Sequence, residues 1–219
     1  MNLSITKQSF NFDKRHFFVI LCMYYFLNTY IISDVVITKE LYYQSYGEQV
    51  AFEQIDAYVE ASEKWSWIGY VFLPLVLLIK ISFVALCLNI GTLLNGINIG
   101  FKKLFQIVMI AHVVFACASF IKGIWLLFFI DVHTLQDIQL MYPLSLLSIV
   151  DTKEIEAWLI YPLQTINLFE FAYWLAIAKG LQMVLNQSFS KMLTLVVSTY
   201  GIGLITWMVI VVFLSLNLS

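Results

Sequence analysis

Residues 158–185, WLIYPLQTINLFEFAYWLAIAKGLQMVL, run for 28 positions with two charged side chains, Glu170 and Lys179. As a straight helix this stretch is about 42 Å long at 1.5 Å per residue, enough to cross a hydrocarbon core of ~30 Å with length to spare. Read as a membrane span, it holds Glu170 about twelve residues, or ~18 Å, below its Trp158 end. A charge at that depth costs at least ~2.5–3.5 kcal/mol unless it is paired or faces a polar cavity. The stretch therefore demands a partner, and Lys80 is the matching cation, about thirteen residues into the earlier apolar stretch 67–94 and so at nearly the same level. The spacing predicts a Lys80–Glu170 pair between these two spans, either a bridge that fixes which helices pack together or one side of a site for a proton, an ion, a lipid or a small solute.

Composition supports the membrane reading. Of 219 residues, 61% are hydrophobic and 12% charged, with mean hydropathy +0.86, far from the roughly 45–50% apolar and 25% charged residues of soluble domains. Twelve Lys and Arg nearly balance fourteen Asp and Glu, so no basic surface for nucleic acid is implied. Cys22, Cys87 and Cys117 all fall in apolar stretches without metal or redox spacing and read as small buried side chains. No small-residue cleavage site follows the first apolar run, which reads as an uncleaved span.

The chain is thus expected to be all-α, a single membrane domain with five transmembrane helices at about 17–33, 67–94, 104–130, 158–185 and 192–216. Loops 34–66 and 131–157 are acidic and hold twelve of the fourteen carboxylates. Within the first loop, Val50, Phe52, Ile55, Tyr58 and Val59 recur at roughly helical spacing between Glu53, Asp56 and Glu60, which suggests a short amphipathic helix. Within the second, residues 140–150 are apolar but too short to span, suggesting an interfacial or re-entrant piece opened by Pro143. Basic residues near span ends set the orientation. Lys7, Lys14, Arg15, Lys102, Lys103, Lys179 and Lys191 fall on one side and Lys39, Lys64 and Lys153 on the other, placing the N-terminus in the cytoplasm and the C-terminus outside. The single Arg among many Lys, Asn and Ile residues hints at an AT-rich bacterial source, hence the bacterial inner membrane.

Other polar residues in the spans are secondary candidates. Lys122 lies near enough to a helix end to snorkel toward Asp131. His112 could carry a proton or simply bond a neighbour. Asn167, with Asn89 and Gln164, reads as interhelical hydrogen-bonding glue. Ala172, Ala176 and Gly180 recur at four-residue spacing and, with Ser198, Gly201 and Gly203, offer faces where another helix can approach closely. Gly96 and Gly100 form a G-x-x-x-G in a turn and read as turn residues. Asp131 and His133, with Asp137 four residues on, could form an external metal site, but nothing fixes a third ligand at characteristic spacing, and no nucleophile, phosphate-loop or zinc-protease motif occurs, so neither metal, cofactor nor enzyme activity is expected.

The run from Leu163 through Asn167-Leu-Phe169, Trp174 and Gly180-Leu181, followed by Ser188, Lys191 and a last apolar span, resembles the Yip-domain family of small five-helix membrane proteins. Phe101-Lys-Lys-Leu-Phe105-Gln after a glycine-containing turn fits the same pattern, and the likeness covers about residues 66–215. It implies five spans, a cytoplasmic N-terminus and a role in membrane organisation, trafficking or assembly with other membrane proteins. The family's Asp-Leu-Tyr-Gly-Pro-like N-terminal motif has no counterpart here, so binding of Rab-type GTPases is not implied. The leading expectation is a non-enzymatic scaffold or accessory subunit in the lipid bilayer. The alternative is a small permease or proton-coupled transport subunit that uses Lys80 and Glu170, with a lipid or small solute between the second and fourth spans.

Overall fold

The computed structural model describes residues 13–151 and 155–218; Lys7 and Lys153, which bear on the orientation, lie outside them. The described residues form ten α-helices with no strand: α1 (Lys14–Tyr30), α2 (Lys39–Tyr46), α3 (Phe52–Leu94), α4 (Phe101–Ala111), α5 (Val113–Phe128), α6 (Leu135–Leu140), α7 (Ala157–Thr165), α8 (Leu168–Leu185), α9 (Phe189–Val196) and α10 (Ile202–Leu218). Five units are long and apolar enough to cross a membrane: Lys14–Val36, Phe52–Leu94, Phe101–Phe128, Leu168–Leu185 and Phe189–Asn217. The protein has the make-up of a multi-pass membrane protein.

Helix α8 occupies the centre, against α4, α5 and α9. Its Tyr173, Ile177, Ala178 and Leu181 are fully buried with Leu104 and Val108 of α4, Ile81, Ala85 and Leu88 of α3, and Met192 and Val196 of α9. Helix α1 joins the bundle through Leu21 and Cys22, and the Tyr24 hydroxyl donates to the Ala116 carbonyl of α5 at 2.6 Å.

Four of the five spans depart from the simple expectation at an identifiable place. The helix that carries the second span begins at Phe52, well before 67. The amphipathic segment of loop 34–66 and the span are one helix, α3, whose 43 residues would measure about 65 Å, twice the ~30 Å core. Its first fifteen residues are rich in the helix formers Glu, Ala, Lys and Gln and lack Gly and Pro, so nothing interrupts propagation. Pro74 sits inside α3, where it removes one i→i−4 hydrogen bond. At the other end, Gly96 takes a left-handed φ of 66° and closes the helix in a Schellman arrangement, with Ile97 N donating to Thr92 O at 2.8 Å and Gly96 N to Leu93 O at 3.1 Å.

The third span divides at His112, where Phe115 N donates to the His112 carbonyl at 3.0 Å and tightens the turn between α4 and α5. The fifth widens into a π-turn at Val197–Gly201 between α9 and α10. The fourth is broken outright. Helix α7 ends at Thr165 and α8 restarts at Leu168, while Ile166 and Asn167 are extended. Their backbone is satisfied by the apolar piece after Pro143: Leu146 N donates to Ile166 O and Leu168 N to Leu144 O, both at 3.0 Å. Irregular backbone in a membrane protein survives only where such partners exist.

At the acidic end, α2 lies against the protruding part of α3. Lys39 Nζ pairs with the Asp56 carboxylate at 2.6 Å, which holds the lysine above its ordinary pKa, and the Tyr43 hydroxyl donates to the same carboxylate. Leu41 of α2, Leu126 of α5 and Ile138 of α6 form a small second core, and Leu135 N donates to Ser45 Oγ at 2.8 Å. The first loop is therefore a folded platform joined rigidly to a spanning helix.

Candidate functional site

The break in the fourth span places Glu170 in the first turn of α8 instead of twelve residues down an unbroken helix. Asn167 is the N-cap. Its Oδ1 accepts from Glu170 N at 2.8 Å, and its Nδ2 donates to the carbonyls of Gln164 at 2.9 Å and Thr165 at 3.0 Å. Asn167 thus closes its own break and is not the interhelical glue expected of it. Asn167→Ala should destabilise the fold by about 1 kcal/mol, the ordinary worth of an N-cap, read as a lower denaturation midpoint in detergent; a midpoint unchanged from wild type would rule out the capping role.

In an ordinary capping box the carboxylate three residues after the cap turns back to the cap's own N–H. Here it points into the bundle. Glu170 Oε1 accepts from Trp174 Nε1 and from the Tyr200 hydroxyl, each at 2.8 Å, and its position at a helix N-terminus adds favourable dipole electrostatics. Oε2 accepts no hydrogen bond among the described residues. The Trp174 indole packs on Gly201 of the fifth span, where an added Cβ would meet the ring at 3.4 Å, an ordinary van der Waals contact.

The polar line continues away from Glu170. The Tyr200 ring meets Tyr173 edge-on at 5.7 Å between centroids, Tyr173 meets His112 at 5.9 Å, and His112 meets Tyr25 of α1 at 6.3 Å. His112 is 6% exposed, and its Nδ1 and the Tyr173 hydroxyl are both buried with no hydrogen-bond partner among the described residues. Three backbone irregularities therefore converge on one cluster: the α7–α8 break carries Glu170, the π-turn carries Tyr200, and the α4–α5 break carries His112. π-turns and mid-helix breaks are found often at functional sites.

The expected Lys80–Glu170 ion pair does not form. The ion pairs among the described residues are His16–Asp13 and Lys39–Asp56. Glu170 is 7% exposed and bonded to neutral donors, whereas Lys80 is exposed on the surface of the bundle. Depth alone brought the two together in the sequence; rotation about the α3 axis separates them. The buried face of α3 is set by Leu77, Ile81, Val84, Ala85 and Leu88, and Lys80 stands to one side of it. Lys122 also finds another partner: its Nζ donates to the Ile138 carbonyl at 3.0 Å and lies 6.0 Å from the Tyr142 ring centroid, in place of Asp131. Asp137 is occupied in capping α6, accepting from Thr134 N at 2.8 Å and His133 N at 3.1 Å.

Along α8, Ala172 and Ala176 are half-buried, and Gly180 is where α4 comes closest, a Cβ there falling 2.5 Å from Ile107 Cγ2. Gly203 faces Cys87 and Phe83 of α3 in the same manner. Gly91 of α3, which the sequence reading passed over, is the tightest of these positions, packed on Thr199. A cleft of about 600 Å³ lies at the acidic end, lined by Ser45, Tyr46, Gln49, Gln136, Gln139 and Gln164 among others. No protein-family model, curated protein or solved structure matches the chain.

Proposed function

We propose that this chain is a non-enzymatic, five-span scaffold or accessory subunit of a membrane assembly, of the Yip-domain kind, with its N-terminus in the cytoplasm and its C-terminus outside a bacterial inner membrane. The observation that carries the reading is α3: one uninterrupted helix of 43 residues that both crosses the bundle and holds, well beyond it, a platform bearing Glu53, Glu60 and Glu63 on exposed positions. A helix extended far past the bilayer and braced by α2 transmits position from the bundle to an acidic surface, which suits assembly. The distribution of basic residues supports the orientation.

Gentle extraction from the native membrane followed by native mass spectrometry tests this. A second protein should co-purify at fixed stoichiometry, and the triple variant Glu53→Gln/Glu60→Gln/Glu63→Gln should weaken that association by about tenfold if charge on the platform is what the partner recognises. A lone, monodisperse chain would overturn the assembly reading.

The convergence of three interrupted spans on Glu170, Tyr173 and His112 favours a second reading, a small proton-coupled permease, because discontinuous helices are where transporters place their sites. Proteoliposomes containing a trapped pH dye separate the two: flux that disappears in Glu170→Gln supports transport, and tight vesicles oppose it.

A further inference from the structure

Lys80 is the one cation placed midway along an apolar span with no hydrogen bond or ion pair among the described residues. It stands 13 positions after Trp67 and 14 before Leu94, about 20 Å from either end of the apolar part of α3 at 1.5 Å per residue. Snorkelling serves lysines near helix ends, not one this far from both interfaces. The side chain is exposed, and Val76, Ile79 and Phe83, within one turn of it, are 47%, 58% and 37% exposed. In a bilayer, this surface faces lipid tails or another protein, and lipid tails offer an ammonium nothing.

We propose that this face of α3 seats a transmembrane helix of a partner protein, and that an aspartate or glutamate within that helix pairs with the Lys80 ammonium. The inference rests on the assembly reading and names its intramembrane contact. Charge complementarity decides the occupant. A second copy of this chain cannot supply the carboxylate: Glu170 is buried and bonded to Trp174 and Tyr200, and Asp34, in the last turn of the span Lys14–Val36, accepts from Ser33 and Tyr70, ten residues from the level of Lys80. The remaining acids of α3, Glu53, Asp56, Glu60 and Glu63, belong to the platform. Exposed apolar side chains flanking a single cation form a surface on which a mostly apolar helix with one acid is complementary in both packing and charge.

The test is photocrosslinking of the full chain in its native membrane from a photoreactive residue placed at Ile79 or Val76. The expected result is a crosslink to a membrane protein whose crosslinked peptide is a span containing Asp or Glu. Its yield should fall about tenfold in Lys80→Met, equivalent to about 1.4 kcal/mol, hold within about twofold in Lys80→Arg, and fall again when the partner's acid is changed to its amide. Lys80→Met itself should fold normally, since Lys80 makes no hydrogen bond or ion pair among the described residues; a wild-type melting profile for the purified variant establishes this. Crosslinks to lipid alone, to a second copy, or to a protein with equal yield in Lys80→Met overturn the proposal. Native mass spectrometry of the wild type separates the two failures: a stoichiometric partner without a Lys80-dependent crosslink removes only this contact, and a lone chain removes the assembly reading with it.

Discussion

Glu170→Leu is expected to destabilise the folded bundle by about 2–5 kcal/mol, while Glu170→Gln should cost about 1 kcal/mol or less. The difference follows from what each leaves behind. Trp174 Nε1 and the Tyr200 hydroxyl both donate to Glu170 Oε1, and Tyr200 is 5% exposed. Leucine fills the volume but removes the acceptor, leaving two donors in or near a dry core, and each buried unsatisfied group costs roughly 1–3 kcal/mol. Glutamine keeps an amide oxygen of similar reach and can accept from both. Reversible unfolding in mixed detergent micelles, followed by tryptophan fluorescence, measures both variants, and Trp174 itself reports the local environment. Equal stability of the Leu and Gln variants would eliminate the hydrogen-bonding role. A companion experiment separates this arrangement from an ion pair. Adding Lys80→Met to either variant should neither rescue nor worsen it, because the residues share no contact and distant changes add. Recovery in Lys80→Met/Glu170→Leu would restore the direct bridge.

The failed pair shows what a membrane sequence can reveal. All five apolar stretches lie on helices, and the Asn95–Gly100 turn is a turn, because hydropathy and Gly placement are local signals. Depth was read by counting along straight, continuous helices. That holds for Lys80 on α3 and fails for Glu170, whose helix restarts at Leu168. A local mark of the restart was present: Asn167 followed three residues later by Glu170 at the head of an apolar run is a capping signal, and Pro162 precedes it. Read inside a long hydrophobic window, both were absorbed into one span. The backbone partners that make the break tolerable, Leu144 and Leu146, lie some twenty residues earlier, and no local pattern announces them. Rotation is the other missing quantity. A soluble helix declares its buried face by placing polar residues opposite, whereas α3 from 71 to 88 is apolar nearly all round, so nothing told Lys80's exposed position from a buried one. The platform was half legible, its amphipathic periodicity visible but its fusion to the span not, because hydropathy drops at Glu60–Lys64 although helix propensity does not.

Gly91→Leu is expected to abolish accumulation of the folded protein, and Gly91→Ala to destabilise it by about 1–3 kcal/mol, the usual cost of overpacking. Gly91 lies on the face of α3 that carries Leu88 and Thr92, both fully buried, where α3 meets the π-turn of the fifth span. A Cβ added there lands on Thr199 Cγ2 and within 3.2 Å of Thr199 Oγ1. Thr199 has little freedom to move aside: its Oγ1 donates to the Leu195 carbonyl at 2.7 Å, and the next residue, Tyr200, is held by Glu170. Strain introduced at Gly91 should therefore reach the polar cluster. The reciprocal change relieves it. Thr199→Ala removes Cγ2, the nearest atom to the added methyl, and Oγ1 at 3.2 Å, and leaves the Thr199 Cβ at 3.1 Å. Gly91→Ala/Thr199→Ala should thus recover at least half of the loss caused by Gly91→Ala, a coupling of about 0.5–3 kcal/mol in a double-mutant cycle. Gly69 supplies the control, because a Cβ there meets nothing within 4 Å, and Gly69→Ala should be neutral or slightly stabilising through helix propensity. Purely additive effects at Gly91 and Thr199, in the same unfolding assay, would mean that the close approach of α3 to the π-turn does not hold the fifth span in place. Coupling would make this helix crossing the element that positions Tyr200 over Glu170.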